Sequence, residues 1–330
     1  MISTLSDISV VMLYSAMAIY AMAFIAFAMD LARRSAAQPL PRITTTARKS
    51  RAATSRAGGT ATLTRPETDT RKTPPSFPGS REMRVAIALT SLGWVIHLGA
   101  TTARGIAAGR LPWANMFEFS MTGTLAIITA FLVAQFRSDL RFLGTFITGL
   151  VLLLLGISTV SFYVEVSPLQ PALQSYWLVI HVVVAIVATA SFALGFALSA
   201  IQLVQEQWQN RPTTGKRSWL QFLTTLPDAA ALESSAYRVI IIGFILWTFT
   251  LMAGSIWAHD AWGRYWGWDT KEVWTFIIWV LYAGYIHARA TRGWRGTRSA
   301  WLAIVGFAAV LFNFGIVNVF FKGLHAYSGL

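Results

Sequence analysis

Apolar residues run through this chain in long unbroken blocks, not in the alternating pattern of a half-buried strand. Eight blocks stand out, at roughly 8–30, 85–107, 115–136, 143–163, 176–204, 237–258, 273–289 and 300–321. About 20 apolar helical residues cross a hydrocarbon core, and a helix is required because lipid offers no partner for unpaired backbone groups. The blocks therefore predict an all-α, polytopic membrane protein with about eight transmembrane helices. The first block, Ile8 to Ala28, has no basic segment before it and is followed by Arg33 and Arg34. That order reads as a retained span and not as a cleaved signal peptide.

The polar segments between blocks predict the orientation. Segment 32–84 carries Arg33, Arg34, Arg42, Arg48, Lys49, Arg51, Arg56, Arg65, Arg71, Lys72, Arg81 and Arg84 against Glu67, Asp69 and Glu82. Such a segment belongs on the cytoplasmic side. It is rich in Thr, Ala, Pro and Gly with no apolar period, the composition of a disordered loop. Arg137 and Arg141, then Arg211, Lys216 and Arg217, then Arg289, Arg292, Arg295 and Arg298, fall on the same side by alternation. The intervening segments 110–116, 163–175 and 257–274, and the tail after Phe321, hold few basic residues. Both termini are then expected on the extracytoplasmic side of the plasma membrane. The chain divides into a first helix (1–31), a basic loop (32–84) and a membrane domain (85–330) with an outer loop at 257–274.

Composition narrows the function. The chain is 55% hydrophobic and 12% charged, where soluble proteins carry about 25% charged residues. The net charge of +13 sits between apolar blocks, with no separate basic, aromatic-interleaved element, so nucleic acid is not a partner. There are no cysteines. Disulfides, thiolate metal sites and thiol redox chemistry are excluded within this chain, and any thiols needed outside the cytoplasm come from another protein.

Segment 257–274 concentrates Trp257, Trp262, Trp266, Trp268 and Trp274 with Tyr265, and ends in Asp269-Thr-Lys-Glu272. Interfacial belts contain tryptophan, and a belt accounts for scattered residues such as Trp113, Trp177, Trp247 and Trp301. It does not account for this density or for charges beside a span, which are costly unless used or solvated. Of the five histidines, His181 and His325 fall at the ends of spans five and eight, on the side of the indoles. Imidazole is a good axial ligand for haem iron, and a porphyrin needs an apolar, aromatic wall. The pieces fit a bis-histidine haem site under an aromatic platform. His97 and His287 lie within spans, where an ionisable group is a functional candidate; a helix–helix hydrogen bond would also explain His97, and an interfacial position His287. His259 is the weakest candidate. Glu118 at a helix start suits the helix dipole. No phosphate loop, His-Glu-x-x-His or nucleophile with a base is present, so no catalytic residue is assigned.

Trp262-Gly-Arg-Tyr-Trp-Gly-Trp-Asp-Thr-Lys-Glu272 resembles the tryptophan-rich "WWD" motif of haem-handling proteins in cytochrome c maturation. Gly109 to Glu118, Trp177 to His181, Tyr282 to Arg289, and Gly323-Leu-His-Ala-Tyr327 resemble the flanking motifs of the CcsA/ResC family of the system II pathway, the type called CcsB in actinobacteria. The resemblance covers about 85–330. The chain departs from the family pattern at Thr270, where Pro is usual, and at Ala326, where Ser is usual; position 259 is not a family histidine.

The resemblance implies a subunit of a cytochrome c synthase (haem lyase) that acts with a ResB/Ccs1-type partner, moves haem b as a bound substrate to the outer face, and presents it to apocytochrome c. It implies His181 and His325 as axial iron ligands, and His287 as a haem contact within the membrane beside a partner histidine. Trp262, Tyr265, Trp266, Trp268 and Asp269 belong to the haem-holding motif, and His97 fits an intramembrane histidine of the family. Arg264 or Lys271 is expected to pair with haem propionates. Thiol-reducing proteins enter only indirectly. The rival expectations are a haem or other substrate transporter with the Trp segment as its gate, and a b-type electron-transfer subunit.

Overall fold

A computed structural model describes residues 2–37, 80–167, 173–211, 219–291 and 293–325. Most of the basic segment, together with Lys216, Arg217, Arg292, Ala326 and Tyr327, lies outside the described residues. The architecture is helical: α1 (Ile2–Ala37), α2 (Arg81–Ala108), α3 (Met116–Ala134), α4 (Gly144–Ser161), α5 (Tyr176–Gln209), α6 (Ala229–Trp262), α7 (Thr270–Thr291) and α8 (Thr297–Phe312). Helix α8 widens into a π-helical stretch, Asn313–Val317, before the short turn Asn318–Phe320.

Each predicted block corresponds to one long helix, but seven of the eight, not eight, are long and apolar enough to cross a membrane. The exception is α7. Its Trp274, Trp279, Tyr282 and Tyr285, with Lys271, Glu272, His287 and Arg289, lower its hydropathy although its length suffices. Helices α2, α3 and α6 begin where short polar side chains satisfy free N–H groups. Ser80 accepts from Met83 N at 3.0 Å, Asn115 from Glu118 N at 2.9 Å and Asp228 from Ala231 N at 2.7 Å.

Two antiparallel pairs, α1–α2 and α5–α6, make the most extensive contacts. Helices α3 and α8 pack on α5, and α4 bridges α1 and α3. Tyr282 stacks on Phe192 with ring centroids 3.8 Å apart, tying α7 to α5 in the core. Helix packing inside a membrane depends on such close contacts, because lipid supplies no hydrophobic drive between helices.

Ionic clusters mark the two ends of the bundle. At the end carrying Arg137, Arg141, Arg211 and Arg295, Glu233 accepts from Arg289 Nε at 3.1 Å, Ser299 Oγ at 3.1 Å and Gly296 N at 3.0 Å, joining α6, α7 and α8. Arg289 also lies 3.9 Å over the Tyr237 ring. Asp30 pairs there with Arg34 and bonds to Ser80, and Arg33 pairs with Glu82. The opposite end carries the tryptophan-rich motif and a second buried hub. Glu118 there accepts from Arg104 Nε at 3.1 Å, Arg110 Nη1 at 2.6 Å and Ala114 N at 3.0 Å. This carboxylate holds the α2–α3 connection over the bundle end, a more specific role than the dipole contact expected of it.

Candidate functional site

The ends of α3, α5, α6, α7 and α8 on the tryptophan side surround a largely apolar cavity of about 350 Å³. That volume lies in the range of ligand pockets, about 300–1,000 Å³. His181 and His325 both line it, although their positions differ by well over a hundred residues in sequence.

His181 is on the first turns of α5. Its Nδ1 donates to the Thr250 carbonyl of α6 at 2.9 Å. Gly254, one turn further along α6, makes room for the ring; a Cβ there would lie 2.7 Å from His181 Nδ1. His325 follows α8. Its Nδ1 donates to Asp269 Oδ2 at 2.6 Å. In both rings the hydrogen bond engages Nδ1 and leaves Nε2 as the nitrogen able to bind a ligand, the pattern by which outer partners orient metal-binding histidines. The Asp269 carboxyl is held below the usual carboxylate range, chiefly by the hydrogen bond from His325.

Trp257 joins the two imidazoles. Its indole stacks with His181 at 6.0 Å and 20°, and meets His325 edge-on at 5.5 Å and 68°. Trp262 also meets His325 edge-on, at 4.7 Å and 75°, and packs against Trp257 at 4.8 Å. Trp257 is 2% exposed. It belongs to the aromatic segment, whose sequence alone does not distinguish it from the neighbouring indoles. The signal available was its spacing: Gly254 and Trp257 are three residues apart, on one face of a helix.

The loop itself is shorter than 257–274. Helix α6 continues to Trp262 and ends at Gly263, whose φ of 71° closes the helix in the left-handed conformation that glycine adopts without cost. Helix α7 starts at Thr270, so Thr in place of Pro is compatible with an ordered start. Glu272 Oε2 reaches back to accept from Asp269 N at 3.1 Å and Gly267 N at 2.8 Å. This is half of a capping box; the Asp269 carboxylate is directed to His325. Trp268 adopts φ 59° and is 77% exposed. A left-handed tryptophan is strained, and the two bonds to Glu272 on either side hold it there.

The structure brings together only some of the expected residues. Tyr265 and Trp266 line the cavity, Trp262 and Asp269 support His325, and Trp268 projects outward. Trp113 and Trp247, expected in an interfacial belt, line the cavity instead. Trp247 is 5% exposed, with Nε1 donating to the Thr275 carbonyl at 3.1 Å, whereas Trp301, at 55% exposed, fits a belt position. His97 is fully buried between helices, 3.4 Å from the Tyr20 hydroxyl and away from the cavity. His287 is exposed near the far end of α7. Exposed His259 stacks on Tyr265 at 4.4 Å. Arg264 does not line the cavity; its guanidinium lies over Gly267 and 3.8 Å from Glu272.

The fold and site together define a multi-pass helical membrane protein that gathers two oriented imidazoles and several indoles over one cavity. The chain belongs to the cytochrome c assembly protein family, whose sequence profile matches residues 113–325. It is similar to the cytochrome c biogenesis protein CcsA of Guillardia theta, 33% identical over 240 residues that cover 69% of this chain and 80% of that one. CcsA of Picosynechococcus sp. is 31% identical over 306 residues, covering 77% and 90% of the two chains. Among solved structures, cytochrome c haem lyase CcmF shares the fold, with a TM-score of 0.62 at 16% identity; the match covers 98% of this chain and half, 50%, of that one. The chain is a CcsA-type protein of cytochrome c maturation.

Proposed function

We propose that this chain holds haem b as a substrate in the cavity, on the extracytoplasmic face of the plasma membrane, and presents it to apocytochrome c within a ResB/Ccs1-type synthase complex. The observation that carries the reading is the paired orientation of His181 and His325. Each has Nδ1 engaged by a protein acceptor, Thr250 O at 2.9 Å and Asp269 Oδ2 at 2.6 Å, and each lines the same indole-walled cavity. Two imidazoles with Nδ1 engaged and Nε2 turned to the cavity side suit iron, and the apolar wall suits a flat macrocycle.

The chain's residues would bind, orient and exclude water. His181 and His325 would hold the iron from two helix ends. Trp257 and Trp266 would support the ring plane. The reaction itself adds a cysteine S–H of apocytochrome c across a haem vinyl: an S–C bond forms, the S–H bond breaks, and the proton ends on the other vinyl carbon. No oxidant is needed for that addition, and positioning is the main contribution open to a protein without its own nucleophile. His287 would make a separate haem contact within the membrane, beside a partner histidine, because α7 exposes it at the opposite end.

The test is the absorption spectrum of the chain purified with its partner. Wild type is expected to carry haem bands, and the His181→Ala/His325→Ala double variant to lose them together with cytochrome c maturation. A double variant with the wild-type spectrum and full maturation refutes the reading.

A further inference from the structure

The histidine pair leaves one feature of the cavity unexplained: an amine on its wall that pairs with no carboxylate among the described residues. Lys271, in the first turn of α7, lines the cavity. Its Nζ donates to the Asn313 carbonyl at 2.8 Å and to Asn318 Oδ1 at 3.0 Å, both neutral acceptors. Among the described residues it forms no ion pair. The acids flanking it are engaged elsewhere: Asp269 with His325 at 2.6 Å, and Glu272 with Gly267 N at 2.8 Å and Asp269 N at 3.1 Å. Arg110, also on the cavity wall, is paired to Glu118 at 2.6 Å.

A second observation lies beside it. Asn313 is 5% exposed and lines the same wall, and its Oδ1 has no hydrogen-bond partner. The residue opens the π-helical stretch of α8, a distortion frequent at functional sites. An asparagine amide presents either its oxygen or its NH2 group by rotation. An amine held by neutral acceptors alone and a buried amide oxygen without a partner both leave hydrogen-bonding capacity unused. With the Asn313 amide turned so that its NH2 group faces the cavity, a carboxylate between the two side chains would accept one N–H from each.

We propose that Lys271 and Asn313 form a carboxylate-binding subsite that anchors a propionate of the bound porphyrin, an inference that rests on the haem reading above. It sets the ring's rotation about the iron axis. With a propionate held at the α7–α8 wall, the vinyl-bearing edges turn away from that wall, towards an arriving thiol.

The experiment compares iron protoporphyrin IX with its dimethyl ester, which lacks free carboxylates, by spectral titration of the full chain in detergent. Wild type is expected to bind the free acid about tenfold more tightly than the ester. Lys271→Met, which keeps the side-chain length and removes the amine, is expected to bind the two alike. Asn313→Leu is expected to narrow the preference and reports independently on the same subsite. Equal binding of acid and ester by wild type overturns the proposal without any variant, as does an undiminished preference in Lys271→Met. Failure of wild type to bind either porphyrin overturns the haem reading and this inference with it.

Discussion

Individual contacts decide whether His181 and His325 can act as a pair. Gly254 is where the ring of His181 enters the α5–α6 contact, and a methyl group there would meet it at 2.7 Å. Gly254→Ala is expected to leave the helix intact, since alanine favours a helix by about 1 kcal/mol over glycine, while displacing His181. The measurement is haem content per purified protein, which should fall severalfold with helicity by circular dichroism unchanged. Asp269 provides a pH test. Its carboxyl is held below the ordinary value of 3.8, first by the hydrogen bond from His325. Because the folded value is the lower one, the contact contributes its full stabilisation above the unfolded value and loses it as pH falls from about 4 towards the folded one. Indole fluorescence, dominated near the site by Trp257 and Trp262, should change in that acid window in wild type. Asp269→Asn should lack the transition. Residues at this scale were partly legible in the sequence. His181 and His325 stood out because imidazoles are rare in this chain. Trp257 did not, because nothing local distinguishes it from its neighbouring indoles.

At the scale of elements, polar clamps join the helices at their ends. Glu233 clamps α6 to α7 and α8 through Arg289, Ser299 and Gly296. Removing it leaves Arg289 largely buried and without its acid. Glu233→Ala is therefore expected to destabilise by about 3–5 kcal/mol, read as a lower thermal unfolding midpoint in detergent. Glu233→Gln, which keeps hydrogen-bonding atoms, should lose less. Asn115 caps α3 at the rim of the cavity, and Asn115→Ala is expected to cost about 1 kcal/mol and to weaken haem retention more than it lowers the unfolding midpoint. Helix extents were legible because an unbroken apolar block has a single solution in lipid. The end of α6 was not. Trp257 to Trp262 are amphipathic and look like a loop in a hydropathy pattern, yet the helix continues to Gly263. The weak hydropathy of α7 has the same origin: its aromatic and charged residues face protein or the cavity rim, and a count over the sequence registers them only as polar.

For the whole molecule, the two ends differ in chemistry: arginines gather at one, and indoles, the histidine pair and the cavity at the other. The distribution of basic residues leads us to propose that the indole end lies outside the cytoplasm. Because the chain has no cysteines, single introduced cysteines report it directly. In intact cells, a membrane-impermeant maleimide is expected to label Trp268→Cys and to spare Arg298→Cys; the reverse result inverts the topology. The arrangement also bears on the rival functions. A b-type electron-transfer subunit calls for ligands paired within the bundle at similar depth. His97 is buried beside Tyr20, and His287 is exposed near the opposite end of α7, so these two are not paired.

The sequence by itself determined the helical class, the approximate span limits, the segregation of basic segments and the presence of His181, His325 and the tryptophan motif at one end. A bilayer acts as a nearly one-dimensional solvent, so depth and sidedness follow from local composition. Only the tertiary structure decided that Trp257 lies between the imidazoles, that Trp113 and Trp247 form cavity wall, that Asp269 orients His325, and that Lys271 faces the cavity without an acid while Arg264 does not reach it. Those facts depend on how segments distant in the chain pack laterally against one another, and in a membrane that packing depends on close steric and hydrogen-bonded fit between particular side chains.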